Sequence, residues 1–461
     1  MKAGKGKTIK HCLLAILLAM LTTSFSCNLL EPKKNSSNVQ LSAADVICTE
    51  VWLKLSFADS QNGGEYRINR DGNVVLSGSF AGTDTVIVDT TVQPSKSYSY
   101  TAYRLSNGNS AEASSTLQVT TLDSTSSNFS WQLYNFGNFN ATGNASTLYS
   151  VAVINDTNVW AVGEIYIPDS VGKYNAIRWD GIKWSQTNIY YNYQGQNVWG
   201  TLRSIFAINE NDIWFGGNVH WNGNIFQDFP IDPVLLGNGV DNMWGNSNGI
   251  YVIGNGGFIV FRNLSGTWQK VTSGTSLDLY DIYSSNGKEI YVGGGKLQTY
   301  DGILLKGNAN GFQTVEEGKN LPNLSSQFHP YFDGVAKTVW VSNVGTVYFG
   351  GDGFYIYTGG ETNEVRTLQG NRGNADINGQ YFGFISQVRG LAENQMILVG
   401  EKNTIRYFNG VRWTQLGMPY DPNSGYTWLS VGMTNDLIVV VGYSISGGAV
   451  NGGTVMMLKR Q

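Results

Sequence analysis

The chain has 461 residues, with 30 Lys+Arg, 34 Asp+Glu, 3 His and 57 Gly; 13% are aromatic and only 14% charged. So little charge leaves no basic stripe for nucleic-acid phosphates and argues against a long disordered tail. Ala, Glu and Lys are too scarce to cover exposed helix faces, and the length suits two or more domains, so composition points to an all-β protein.

Lys2, Lys5, Lys7 and Lys10 precede an apolar run from Leu13 to Leu21 that is too short to span a bilayer. Thr23-Ser24-Phe25-Ser26-Cys27 follows. Small residues ahead of a cysteine resemble the lipobox of bacterial lipoproteins. The resemblance implies cleavage after residue 26, lipidation of Cys27, and a membrane-anchored protein of the bacterial envelope, on its periplasmic or cell-surface side. Several acyl chains make a stable anchor. Residues 27–40 then read as the lipidated cysteine and a polar tether. The mature chain carries a net charge of about −8, because four lysines leave with the leader, and this opposes further binding to anionic lipid. Cys12 leaves too and Cys27 is modified, so Cys48 has no partner for an intramolecular disulfide. Its neighbours Val46 and Ile47 suggest a buried, inert thiol.

Residues 41–123 alternate apolar and polar, with strands at Val51 to Phe57, Tyr66 to Arg70 and Val86 to Val88, and an Asp71-Gly72 turn. Pro94-Ser95-Lys96-Ser97-Tyr98 resembles the fibronectin type III signature. That resemblance implies a β-sandwich in which the Tyr98 hydroxyl bonds back to the backbone, Trp52 lies in the core, and the domain serves as a spacer.

Residues 128–461 contain an internal repeat in which an aromatic or β-branched residue stands three positions before a glycine. The copies end at Gly163, Gly217, Gly254, Gly294, Gly351, Gly400 and Gly442, spaced by 54, 37, 40, 57, 49 and 42 residues. Such spacing suits four-stranded propeller blades with loop insertions. Each glycine is expected where a neighbouring blade comes close. Outer strands start at Trp184, Phe226, Trp268, Phe312, Trp413 and, weakly, Val365. The last copy has none, so Trp131-Gln132-Leu133-Tyr134 is expected to complete it and close a seven-bladed ring. The pattern resembles the Asp-box and photosystem II assembly-factor propellers; the full Asp box is absent, and Asp180-Gly181-Ile182-Lys183-Trp184 is a fragment of it.

Catalytic signals are weak. The mature chain keeps only His220 and His329, too few for a His-rich metal site. Gly245-Asn246-Ser247-Asn248-Gly249 matches a nucleophile elbow by letters but reads as a turn between strands. Gly293-Gly294-Gly295-Lys296 lacks the spacing of a phosphate loop. Asn374, Asp376 and Asn378 resemble half of a calcium loop, with Ile385 where the closing Glu belongs. No pair of loop carboxylates is marked for glycoside hydrolysis.

Alternating strand direction puts the longest connections on one face. They carry Tyr166, Tyr174, Tyr190, Tyr191, Tyr193, Trp199, Phe328, Tyr331, Tyr420 and Tyr426. Aromatic side chains over a rigid scaffold serve as binding surfaces for sugars and proteins. The expectation is a monomeric, lipid-anchored binding or scaffold protein without a cofactor, taking a glycan or an envelope protein on that face. The alternatives are a glycan hydrolase of sialidase-like type and an envelope-complex assembly factor.

Overall fold

The computed structural model describes residues 38–137, 145–167, 173–193, 195–231, 239–318, 332–358, 361–364, 368, 370–373, 382–419, 425–446 and 449–461. The leader, Cys27, the calcium trio Asn374, Asp376 and Asn378, and Phe328, Tyr331 and Tyr420 lie outside them. Residues 38–461 form one compact unit. Among the described residues it is built from strands, with no α-helix.

Two sheets come first. Val39–Val46, Val51–Phe57 and Asp84–Asp89 form one, paired in that order. In the other, Asn73–Phe80, Gly64–Arg70, Ser97–Ser106 and Asn109–Ala113 pair in sequence, and Leu117–Thr120 also joins Ser97–Ser106. Val51, Leu53, Leu55 and Phe57 alternate inward onto Ile68, Tyr100 and Ala102. The Gln93 amide donates to the Tyr98 hydroxyl at 2.9 Å, so this tyrosine bonds back to the backbone as expected. Trp52 does not join that core. Strand alternation turns it to the opposite face, where it is 5% exposed and the Arg372 guanidinium lies 4.8 Å from its ring centroid.

Seven four-stranded antiparallel sheets follow among the described residues, giving a β-propeller. Their first strands are Thr147–Asn155, Ile205–Asn209, Val240–Asn246, Asp278–Tyr283, Ala336–Val341, Ile385–Ala392 and Tyr426–Met433. Each packs on the next in chain order, and the last packs on the first, so these are inner strands around a channel. The seventh sheet takes its outer strand from the other end of the repeat region: Phe129–Phe136 pairs with Ala449–Arg460, with Leu133 opposite Met456. Outer strands begin at Trp184, Phe226, Trp268 and Trp413, and Gly311–Glu317 holds Phe312 as its second residue. The fifth outer strand departs from expectation: it is Glu361–Glu364, and Val365 lies outside the described residues. Apolar side chains from adjacent sheets interleave, as where Trp340, Tyr348 and Phe354 of the fifth sheet meet Leu398, Phe408 and Trp413 of the sixth.

The sandwich is fastened to the propeller by a buried ion cluster. Arg372, from the stretch between the fifth and sixth sheets, donates to Asp45 at 2.7 Å, to Glu50 at 3.0 Å and to the Tyr348 hydroxyl at 2.9 Å. Its own backbone carbonyl accepts from the Trp413 indole at 3.0 Å. Ile47 enters the apolar cluster of the fifth and sixth sheets. Beside it, the Cys48 thiol donates to the Asp123 carbonyl at 3.0 Å, and burial pushes its pKa up to about 12. The thiol is therefore buried, as its neighbours suggested. Asn394 and Asn409 also bond the chain at Asp123 and Thr125. Those two asparagines sit in turns from inner to second and from third to outer strand. By strand alternation these turns lie at the end of the propeller opposite to where the inner strands begin.

Removing Arg372 alone would leave Asp45 and Glu50 buried without their cation. Arg372→Met is expected to destabilise the chain by about 3–5 kcal/mol in urea denaturation. Glu393, 3% exposed, has one carboxylate oxygen without a hydrogen-bond partner. Burial, then the nearby Asp45 charge, pushes its pKa up to about 7. The folded chain thus holds this proton where the unfolded chain has lost it. Stability from this group is present below the ordinary glutamate range and falls as pH rises toward 7, by up to about 3 kcal/mol. Glu393→Gln is expected to flatten that slope in denaturation midpoints measured between pH 4.5 and 8.

Candidate functional site

Six of the seven inner strands carry a β-bulge near their start. Pairing with the second strand skips Tyr149, Asp241, Tyr280, Lys337, Ser386 and Leu429. The cause is visible in the repeat. Each conserved-spacing glycine of these sheets pairs with the residue just before the skipped one, as Gly163 with Leu148 and Gly254 with Val240. A Cβ on Gly163 would fall on the Thr147 carbonyl oxygen, and one on Gly254 on the Gly239 carbonyl oxygen. The missing side chain lets the inner strand bend inward, and a bulge re-aims the extra residue. The repeat glycine therefore packs on its own sheet rather than on the neighbour. Gly217 is the exception: it meets Val240 and Val252 of the next sheet. In that second sheet Arg203 precedes the inner strand instead of bulging from it.

The residue after each skipped one is polar and reaches the next sheet. Ser150 accepts from the Ile205 amide at 3.4 Å, Thr338 from the Val388 amide at 3.0 Å, and Gln387 from the Val431 amide at 2.7 Å. Ser430 accepts from the Val151 amide at 3.3 Å, linking the last sheet to the first. Asp281 is the densest node. It accepts from the Val339 amide at 3.0 Å, the Thr338 hydroxyl at 2.8 Å, the Asn242 amide group at 2.9 Å and two Arg389 nitrogens, each at 2.8 Å.

One residue from each sheet converges on a single cavity of about 320 Å³: Tyr149, Arg203, Asp241, Tyr280, Lys337, Ser386 and Leu429. Ser150, Asn242, Asp281, Gln387, Ser430 and Tyr443 complete the wall. The cavity opens where the inner strands begin, the end that carries the long connections. The Lys337 ammonium lies 4.1 Å from the Tyr280 ring centroid, and the Arg203 guanidinium 5.0 Å from that of Tyr149. Burial holds the Lys337 pKa below its ordinary range, partly offset by Asp241 and Asp281. Burial also raises that of Asp241, against the pull of Lys337 and Arg203. Tyr280 is pushed up to about 12 by burial and by Asp278 and Asp241. The Asp241 Oδ2 is buried with no hydrogen-bond partner. This arrangement can bind a polar ligand. Among the described residues no group of His, Cys, Asp and Glu could hold a metal ion.

No protein-family model matches the chain, and no curated protein matches it. Among solved structures, the WD40 β-propeller domain of Doa1 is similar at 14% identity and a TM-score of 0.46, over 72% of this chain and 98% of that one. YCF48 from Cyanidioschyzon merolae is similar at 9% identity and a TM-score of 0.42, over 72% and 98%. A protein of unknown function from Dyadobacter fermentans is similar at 12% identity and a TM-score of 0.39, over 72% and 99%. Likeness at this level says nothing of a ligand.

None of the described aromatics expected on the long-connection face lines the cavity. Tyr174 packs in the core between the seventh and first sheets, and Tyr191 in that between the first and second. Tyr426 stacks on Trp428 at 5.7 Å. The Tyr166 hydroxyl donates to Glu164. The Trp199 indole donates to Asn188 at 2.9 Å, under the Lys173 ammonium. Tyr190 is 49% exposed and borders a shallow depression with Phe226 and Pro230. Tyr193 lies in the short strand Tyr191–Tyr193. Ser247 occupies the hairpin turn between Val240–Asn246 and Gly249–Gly254, with the Asn248 amide donating to Asn246 at 2.8 Å. Sequence reasoning missed the cavity residues, although a signal existed: each stands 13 or 14 positions before a repeat glycine.

Asp281→Ala would strip Val339, Thr338 and Asn242 of their acceptor and leave Arg389 without its carboxylate. It is expected to cost about 3–5 kcal/mol, with Asp281→Asn costing less, as read by urea denaturation. An Asp281→Ala chain as stable as the unaltered one would contradict a structural role for this belt.

Proposed function

We propose that this is a lipid-anchored, extracytoplasmic binding protein: a fibronectin type III-like sandwich on a seven-bladed propeller, with its ligand at the channel mouth. The sandwich assignment is supported by its strand order and the Tyr98 bond. The closed ring is supported by the packing of the seventh inner strand on the first and by the outer strand from Phe129–Phe136. The anchor rests on the sequence around Cys27.

The observation that carries the binding role is the cavity itself. All seven sheets contribute to it, six through the residue of the same bulge and the second through Arg203 just ahead of its inner strand, and two cations and a carboxylate there make no ion pair with one another among the described residues. Polar groups held apart in a concave, preformed site on a rigid scaffold are what a ligand site requires. A glycan fits this chemistry better than a protein surface, because the wall is concave, polar and small.

The reading is tested with the mature chain carrying Cys27→Ser on a glycan and polysaccharide panel. Binding is expected, with loss in Asp241→Asn and retention in Tyr190→Ala. Loss in Tyr190→Ala alone would move the site to the long connections. For the anchor, the full-length chain is expected in the membrane fraction and Cys27→Ser in the soluble one; a variant that stays with membranes would overturn lipid anchoring.

A further inference from the structure

The cavity at the channel mouth is selective by its charge and by what its rings are already doing. The inference rests on the binding role proposed above and concerns the kind of ligand. Two cations line the cavity, Arg203 and Lys337. Each lies over a tyrosine ring, and neither enters an ion pair among the described residues. Of the two lining acids, Asp281 is committed to Arg389, Thr338, Val339 and Asn242. Asp241 alone remains, and its Oδ2 is buried without a hydrogen-bond partner. The uncommitted charge therefore favours an anion near the two cations, together with a hydroxyl hydrogen for Asp241. A buried polar atom is normally satisfied, and a ligand hydroxyl would satisfy this one.

The rest of the wall selects a polyol. Leu429 is the one aliphatic lining side chain; Ser386, Gln387, Tyr280 and Tyr443 offer polar groups. Gln387 spends its Oε1 on Ser430 and Val431, which leaves its amide hydrogens as donors. The rings of Tyr149 and Tyr280 each have a cation against them, so an uncharged sugar stacking there would compete with Arg203 and Lys337. At about 320 Å³ the cavity is at the small end of ligand sites and matches a single sugar unit, whose chain leaves through the open end.

We infer that the channel mouth takes the carboxylate-bearing sugar unit of an acidic polysaccharide, its carboxylate between Arg203 and Lys337 and its hydroxyls on Asp241, Tyr280 and Gln387.

The test is calorimetric titration of the mature Cys27→Ser chain with oligomers of galacturonate and glucuronate, the same oligomers as methyl esters, and neutral oligomers. An acidic oligomer is expected to bind, more weakly at high salt. Esterification, Arg203→Met and Lys337→Met are each expected to weaken it about tenfold, the size of one charge-assisted hydrogen bond. Arg203 is exposed, so its variant tests the idea even if Lys337→Met unfolds. Tyr190→Ala is expected to bind as the unaltered chain does. Equal binding of ester and acid, or neutral oligomers binding with loss in Asp241→Asn, would overturn the acidic-sugar inference and leave the binding role standing. Silence toward every saccharide from a folded sample would overturn the inference and the glycan-binding role together.

Discussion

The inner strands have only one neighbour within their own sheets, and this is the constraint on which the propeller rests. Their other edge faces the channel, and a buried amide there must find an acceptor. The chain supplies one from the preceding sheet: Ser150, Asp281, Thr338, Gln387 and Ser430 each accept a backbone N–H of the sheet that follows. The oxygens are short-range and fixed in direction, so they set how far one sheet turns relative to the next. Asp281 carries the largest share, and the Arg389 guanidinium compensates its buried charge.

The same local geometry creates the site. A bulge puts one extra residue into six of the seven inner strands, and that residue has no pairing partner on the second strand. It turns toward the channel while its successor joins the belt. Structural and binding roles thus fall on adjacent positions: Ser150 and Tyr149, Thr338 and Lys337, Gln387 and Ser386. The belt positions are polar because they must hydrogen-bond to the next sheet. The cavity positions vary freely among Tyr, Arg, Asp, Lys, Ser and Leu, because nothing in the fold fixes their chemistry. That freedom is where ligand specificity can be written.

The sandwich is docked on the propeller. Arg372, Asp45, Glu50 and Tyr348 are fully desolvated together, which stabilises only while every partner is present. The bonds of Asn394 and Asn409 hold the chain at Asp123 and Thr125 to turns at the end of the propeller away from the cavity.

By itself the sequence determined the strand periodicity, the repeat and the strand that completes the last sheet. These follow from alternation of apolar residues, from glycines recurring every 37 to 57 residues, and from an outer strand lacking at one end and spare at the other. It also marked Tyr98 and the packed thiol of Cys48, whose surroundings are local. It assigned Trp52 to the sandwich core, because only the docked propeller gives the opposite face of that strand something to bury against. It expected the aromatic loops to form the site, because exposure of Tyr174, Tyr191 and Tyr426 cannot be read without knowing what packs on them. The cavity was decided by tertiary structure alone: Tyr149 and Leu429 are 280 residues apart in the chain, and only the packing of the seventh inner strand on the first brings them to one wall.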